Sequence, residues 1–324
     1  MKERLYWIDW AKAIAIYGVV LGHVSVEANP ACVRYIAGVL TWFHVPLFFL
    51  VSGYLFRIKE KDFVGYLRNS AKSLLIPYVF FNIISAPILW KLQAHDVWLI
   101  GLYEFLICKS HAWAGPAWFL VALFNIRLLA YWLLKIGRGW LMAVVIILLS
   151  FIPIVLPFQL YFGLSSALVG LSFFMVGYFL KQKNLIHVYM SLKGWGLFPV
   201  PFVLFVIAKM LYPYASYIDV AKGLVCSPLS YIRSFVVVFM AISFCLLLRN
   251  WKLEAIQFIS RGCIVIMGLH MTFVQILWPF RDKLPEILWF TCESPFNSIS
   301  SCALSLIAYY LMKNYAPFLI GNRK

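Results

Sequence analysis

Two side chains set the chemical question. Lys12 and His23, a cation and an imidazole, lie eleven residues apart inside one apolar stretch. On an α-helix that interval is three turns plus about 20°, so both project from one face, separated axially by roughly 16 Å. A cation at one end of such a face can hold an anionic ligand. An imidazole near the other end can take a proton or carry a group on a ring nitrogen. Asp9 stands three residues before Lys12, within reach to hold the ammonium in place or to neutralise it. On a different face, Ala11, Ala15, Gly18 and Gly22 form a small-residue stripe along which another helix can approach closely.

The elements that must position these groups follow from composition. The chain has 324 residues, 64% hydrophobic and 12% charged, far from soluble-globular usage. The expected fold is an all-α, polytopic membrane helix bundle, a single domain over residues 1–324, since no stretch of domain size lacks membrane-length apolar segments. Hydropathy gives about ten transmembrane helices. They are placed at 8–27, 35–56, 73–92, 116–135, 139–156, 161–180, 196–212, 228–248, 258–280 and 297–316. Residues 97–107 read as a short interfacial or re-entrant helix.

The net charge of +16 falls in short clusters between apolar runs, which suits loops facing anionic lipid and not a nucleic-acid groove. With both the N- and C-termini cytoplasmic, Arg4, Arg57, Lys59, Lys61, Arg68, Lys72, Lys135, Arg138, Lys181 and Lys252 fall inside. The outer side receives few cations, among them Arg34, Lys109, Lys222, Arg281 and Lys283. The seven cysteines are scattered without a Cys-x-x-Cys pair and read as small hydrophobes, neither a disulfide framework nor metal ligands. Residues 1–26 have the outline of a signal peptide, but their polar face argues for a retained first helix.

Further polar residues lie along the chain. His44 opens two readings: a neutral histidine hydrogen-bonded inside the bundle, or a second polar group lining the same cavity as His23. Pro46 beside it predicts a kink, and Ser52-Gly53 close packing or a turn. Arg68 and Lys72, four residues apart, would present two cations together on a helical turn, a geometry suited to a phosphate-bearing ligand. The loop 93–115, with Asp96, Glu104, His111 and Trp113, reads either as interfacial anchors or as a surface that stacks on sugars. Arg127, at mid-helix, must face a partner or an aqueous cavity, whereas Arg233, nearer a helix end, can snorkel. Gly163, Gly170 and Gly177 recur along one packing face, and His270 lies inside a late helix.

Several chemistries are set aside. There is no His-Glu-x-x-His run for zinc, no Gly-x-Ser-x-Gly elbow and no P-loop. A secondary transporter or flippase for a glycan or small solute is the competing reading, with the buried His and Arg residues as relay or substrate site; an internal inverted repeat, its expected mark, is not seen.

The Asp9-Trp-Ala-Lys12 opening followed by His23 resembles the first-helix signature of the acyltransferase-3 family of integral-membrane O-acyltransferases. Residues 43–53, Phe-His-Val-Pro-Leu-Phe-Phe-Leu-Val-Ser-Gly, are similar to its next motif. Pro116-Ala-Trp118-Phe-Leu resembles its Trp-Phe-Leu motif, and Gly268-Leu-His270 its late Leu-His. The opening looks most like the fucose 4-O-acetylase-related branch. Departures are Lys12 where many members carry arginine, the wider Arg68–Lys72 spacing, and Cys263 and Met267 where Ser and Tyr are frequent. The resemblance implies an O-acetyltransferase of surface-polysaccharide modification in the bacterial cytoplasmic (inner) membrane. Cytoplasmic acetyl-CoA would be the donor, with no metal. The acceptor would be a hydroxyl of a glycan or lipid-linked glycan. It further implies His23 as the catalytic residue, Lys12, Arg68, Lys72 and Arg127 on the donor, and Asp9, His44, Trp118 and His270 as substrate or supporting residues.

Overall fold

The computed structural model describes residues 4–24, 31–60, 62–92, 95–156, 158–191, 199–213, 218–278 and 286–321, with backbone alone for 286–295. Among them, thirteen α-helices carry almost all of the structure. They are α1 (Tyr6–Val24), α2 (Ala31–Thr41), α3 (His44–Leu55), α4 (Phe63–Leu92), α5 (His95–Leu106), α6 (Trp118–Lys135) and α7 (Gly139–Val155). After these come α8 (Leu164–Gln182), α9 (Leu185–Met190), α10 (Val200–Leu211), α11 (Pro228–Leu247), α12 (Glu254–Leu277) and α13 (Glu286–Tyr315). A two-stranded antiparallel hairpin, β1 (Ile218–Asp219) and β2 (Leu224–Val225), pairs Ile218 with Val225 and Asp219 with Leu224. Six segments are long and apolar enough to cross a membrane: α2 with α3, α4, α6 with the turn before it, α8, α11 and α12. The protein is an integral membrane protein. The other four expected spans coincide with α1, α7, α10 and α13, which are not among those six. In α1 the polar Asp9, Lys12 and His23 occupy three of nineteen positions.

The bundle has two ends. At the proximal end, where the chain starts, the indole of Trp10 donates to the carbonyl of Trp251 (3.1 Å) and Trp7 packs edge-on to Tyr54. Tyr66 stacks on Tyr131 at 4.8 Å, which brings the end of α6 to the start of α4. Basic side chains cap this end by lying on rings: Lys252 on Tyr6, Lys181 on Tyr54, Lys135 on Tyr131 and Trp132. That grouping is the one expected for the cation-rich side. Of the basic residues that mark the two sides, Lys61, Arg281 and Lys283 lie outside the described residues. The distal end gathers the last turn of α1, the loop after α5, the hairpin and the first turn of α11.

Close helix packing sets the frame for both ends. Phe49, Leu50, Phe173 and Phe174 are fully buried where α3 meets α8. A Cβ on Gly53 would fall on the carbonyl of Phe174, and one on Gly177 on that of Leu50, so only glycine allows this approach. The small stripe of α1 does the same work against the second segment. Ala11 and Ala15 are fully buried, and a Cβ on Gly18 would stand 3.3 Å from the Cβ atoms of His44 and Leu40. Pro46 does more than kink this segment. Its ring is incompatible with a helical carbonyl four residues earlier, at Trp42, and the helix is interrupted at Trp42-Phe43 before restarting at His44. The short helix expected at 97–107 is α5, His95–Leu106.

Candidate active site

The helix break decides where His44 goes. It is the first residue of α3, and its Nδ1 donates to the carbonyl of Leu40 at 3.1 Å. A carbonyl only accepts, so Nδ1 carries a proton, and in the neutral ring Nε2 keeps its lone pair. His270, fully buried on α12, is held identically, with Nδ1 donating to Ile266 at 2.7 Å; its Nε2 has no partner among the described residues. His23 faces His270 with ring centroids 5.4 Å apart and a 45° tilt. Unlike the other two it is exposed, and among the described residues neither ring nitrogen has a hydrogen-bond partner. Both readings of His44 are therefore met: it is hydrogen-bonded within the bundle and also lines the cavity of His23.

That cavity, of about 840 Å³, opens at the distal end. His23, His44, Trp118 and Phe48 line one part; His111, Trp113, Asp219 and Arg233 line another. Its walls are pinned by side chains that satisfy loop backbone. Asn82 on α4 accepts from the amide of Ala114 (3.0 Å), and the indole of Trp113 donates to the carbonyl of Trp98 (3.1 Å). The amide of His111 donates to Glu104 (3.2 Å). On the hairpin side, Ser166 donates to the carbonyl of Ala221 (3.1 Å), and Asp219 accepts from the amide of Lys222 (3.0 Å) and pairs with its ammonium (3.6 Å). Gly223, at φ 65°, makes the turn and lies so close to Ser165 that a side chain would collide with it.

The other candidate residues sit elsewhere. Asp9 was expected to serve Lys12, but its carboxylate is held by Arg4, whose Nε and Nη2 donate at 2.7 and 2.9 Å. A forked guanidinium reaching back from just before the helix satisfies both oxygens, which one ammonium cannot match. That hydrogen bond also raises the affinity of Arg4 for its proton. The Lys12 ammonium makes no hydrogen bond or ion pair among the described residues, and Lys12 does not line the distal cavity. Between Lys12 and His23 the same face carries Ile16, Val19 and Val20, all buried.

Arg127 donates to the hydroxyl of Ser73 (3.2 Å), and its carbonyl accepts from Tyr66 (2.8 Å), tying α6 to α4 away from the cavity. Arg68 and Lys72 share one exposed face of α4. The same face continues into Ile76, Val79 and Ile83, all exposed, so it turns out of the bundle. The structure thus brings His23, His44, Trp118 and His270 together and leaves Asp9, Lys12, Arg68, Lys72 and Arg127 in the proximal half.

Two parts of the site escape a reading of the sequence. The hairpin has turn residues in Asp219 and Gly223, but its two-residue strands are too short to show an alternating pattern. Arg233 was expected to snorkel, yet it is 7% exposed and its guanidinium carbon lies 4.6 Å from the ring centre of Trp42 and 4.7 Å from that of Tyr212. Its signal was the one that marked Arg127, an arginine inside an apolar helix.

Comparison with curated proteins and with solved structures gives no match. A family model described as an acyltransferase domain covers residues 5–311, taking in both motif helices and every wall of the cavity. The chain belongs to the acyltransferase-3 family, the membrane acyltransferases.

Proposed function

We propose that the protein moves an acetyl group from cytoplasmic acetyl-CoA to a hydroxyl of a surface glycan or its lipid-linked precursor at the bacterial inner membrane. The observation that carries this reading is His23. It opens into the distal cavity with both nitrogens without hydrogen-bond partners among the described residues, on the same helix face as Lys12 near the proximal end. A phosphate-bearing donor with a long arm suits that layout. Lys12 would hold phosphate, with Arg68 and Lys72 adding positive potential nearby, while the thioester reaches toward His23. Arg127, already bonded to Ser73, serves better as a brace between α4 and α6.

Two routes fit the imidazole. In one, His23 takes the proton of the acceptor hydroxyl as its oxygen attacks the thioester; the C–O bond forms, the C–S bond breaks and the proton passes to the thiolate. In the other, a His23 nitrogen attacks the thioester, the C–N bond forms as the C–S bond breaks and CoA leaves as thiolate. The hydroxyl then attacks, the C–O bond forms as the C–N bond breaks, and its proton ends on the thiolate. His44 and His270, each locked by a backbone carbonyl, would keep the ring in place and water ordered around it. Trp118, Trp113 and Phe48 offer flat apolar surface for a sugar face.

The test uses purified protein in lipid nanodiscs with acetyl-labelled CoA and a panel of glycans. The expected result is glycan-dependent thiol release with label in an alkali-labile ester, abolished in His23→Ala. No thiol release with any acceptor would refute the acetyl donor, and preferential use of longer acyl-CoAs would replace it.

A further inference from the structure

Arg233 is unusual among the arginines of this protein. It is more than nine-tenths buried, it lines the cavity that holds His23, and its Nε and Nη2 find no hydrogen-bond acceptor among the described residues. Arg4 uses this same pair of nitrogens to grip both oxygens of Asp9. The nearby acid in the Arg233 cavity, Asp219, is taken by Lys222, so that pair contributes no net charge. Trp42 and Tyr212 lie against the guanidinium and stabilise its charge through their ring faces, but neither accepts a hydrogen bond from Nε or Nη2. A buried guanidinium without an acceptor is costly, and an oxyanion in the cavity is the chemistry that completes it.

We propose that Arg233 recognises an anionic group, a carboxylate or phosphate carried by the acceptor, and so restricts the enzyme to acidic acceptors. This rests on the reading that the cavity receives the acceptor; the donor, whose phosphates belong at Lys12, is not part of it. Arg233 would set the acceptor's orientation by a two-pronged contact, turning one hydroxyl toward His23. A lysine, with a single ammonium, reproduces the charge and not the fork.

Direct binding separates this proposal from the acetyl-transfer reading. The probes are a galacturonic acid trisaccharide, its uncharged methyl ester, and glucose 1-phosphate, measured against the full-length protein in phosphatidylcholine nanodiscs. The expected result is tighter binding of the carboxylate or the phosphate probe than of the ester; which of the two wins identifies the source of the oxyanion. Arg233→Met should weaken the favoured probe roughly ten- to a hundred-fold, with the ester unmoved. Arg233→Lys should recover part of that loss, which keeps the test valid if Arg233→Met does not fold. Equal binding of charged and uncharged trisaccharide, loss of acetyl-CoA affinity in Arg233→Lys, or no binding of any probe would each overturn the proposal. An anion preference that appears only when anionic lipid is added would also overturn it, assigning Arg233 to headgroup phosphate. Arg233-dependent binding without any acetyl transfer would sustain the subsite and sink the acetyl-transfer reading instead.

Discussion

The two ends of α1 hold similar chemical groups in opposite ways. At the proximal end Asp9 is nearly buried, and Arg4 closes on it with two hydrogen bonds, so acid and base spend their capacity on each other. At the distal end three imidazoles converge, and the two inner ones are fixed through Nδ1 by backbone carbonyls four residues earlier, His44 across the α2–α3 break and His270 within its own helix. Their outward nitrogens, both nitrogens of His23 and the fork of Arg233 are left without protein partners among the described residues. Groups that satisfy one another hold the helix in place; groups oriented but left with donor and acceptor capacity beside a cavity are the ones equipped for chemistry.

The sharpest way to break the comparison is at His23. His23→Ala should lower kcat by on the order of 10²–10⁴-fold while leaving acetyl-CoA affinity and thermal stability near wild type. His23→Gln can replace hydrogen bonds but not a basic nitrogen, so near-normal turnover there would place the imidazole among the structural groups. Lys12→Ala comes next. The expected effect is a ten- to hundred-fold rise in KM for acetyl-CoA, of about 1.5–3 kcal/mol, with Lys12→Arg retaining most of the affinity.

At Arg4 and Asp9 the prediction reverses character. Arg4→Ala and Asp9→Asn should each cost about 1–3 kcal/mol of stability, between the exposed and buried limits for an ion pair, and leave KM values unmoved. A double-mutant cycle on thermal unfolding measures the coupling, and a change in acceptor KM would show that this end takes part in turnover. The smallest effects belong to Arg68→Ala and Lys72→Ala. Both side chains are exposed and screened by salt, so each should raise acetyl-CoA KM by less than about tenfold, and less at high ionic strength. A loss equal to that of Lys12→Ala would put them in direct contact with the donor.

What was legible in the sequence is what a single helix determines. The shared face of Lys12 and His23, the small-residue stripe that includes Gly18, and the adjacency of Arg68 and Lys72 all follow from 3.6-residue periodicity; that the stripe meets the second segment does not. Pairings that leave the helix were harder. Asp9 was read against its helical neighbour Lys12, whereas Arg4 precedes the helix and folds back onto it. Arg233 meets Trp42 from the α2–α3 break and Tyr212 from the end of α10, parts of the chain that no local pattern links. Even Pro46 was only half legible: proline announces a disturbed helix, but tertiary packing of Gly18 against Leu40 and His44 accompanies an outright interruption.

The reciprocal glycines of α3 and α8 have a mechanical consequence. With Gly53 seated on Phe174 and Gly177 on Leu50, neither helix can slide along the other without a backbone collision, so the pair behaves as a bolted joint. His44 stands at the far end of that rigid arm, and the break at Trp42-Phe43 is the nearest place where the chain can pivot. The imidazole at the tip of α3 therefore stays where the joint puts it, and adjustment at the distal end falls to the chain beyond that break.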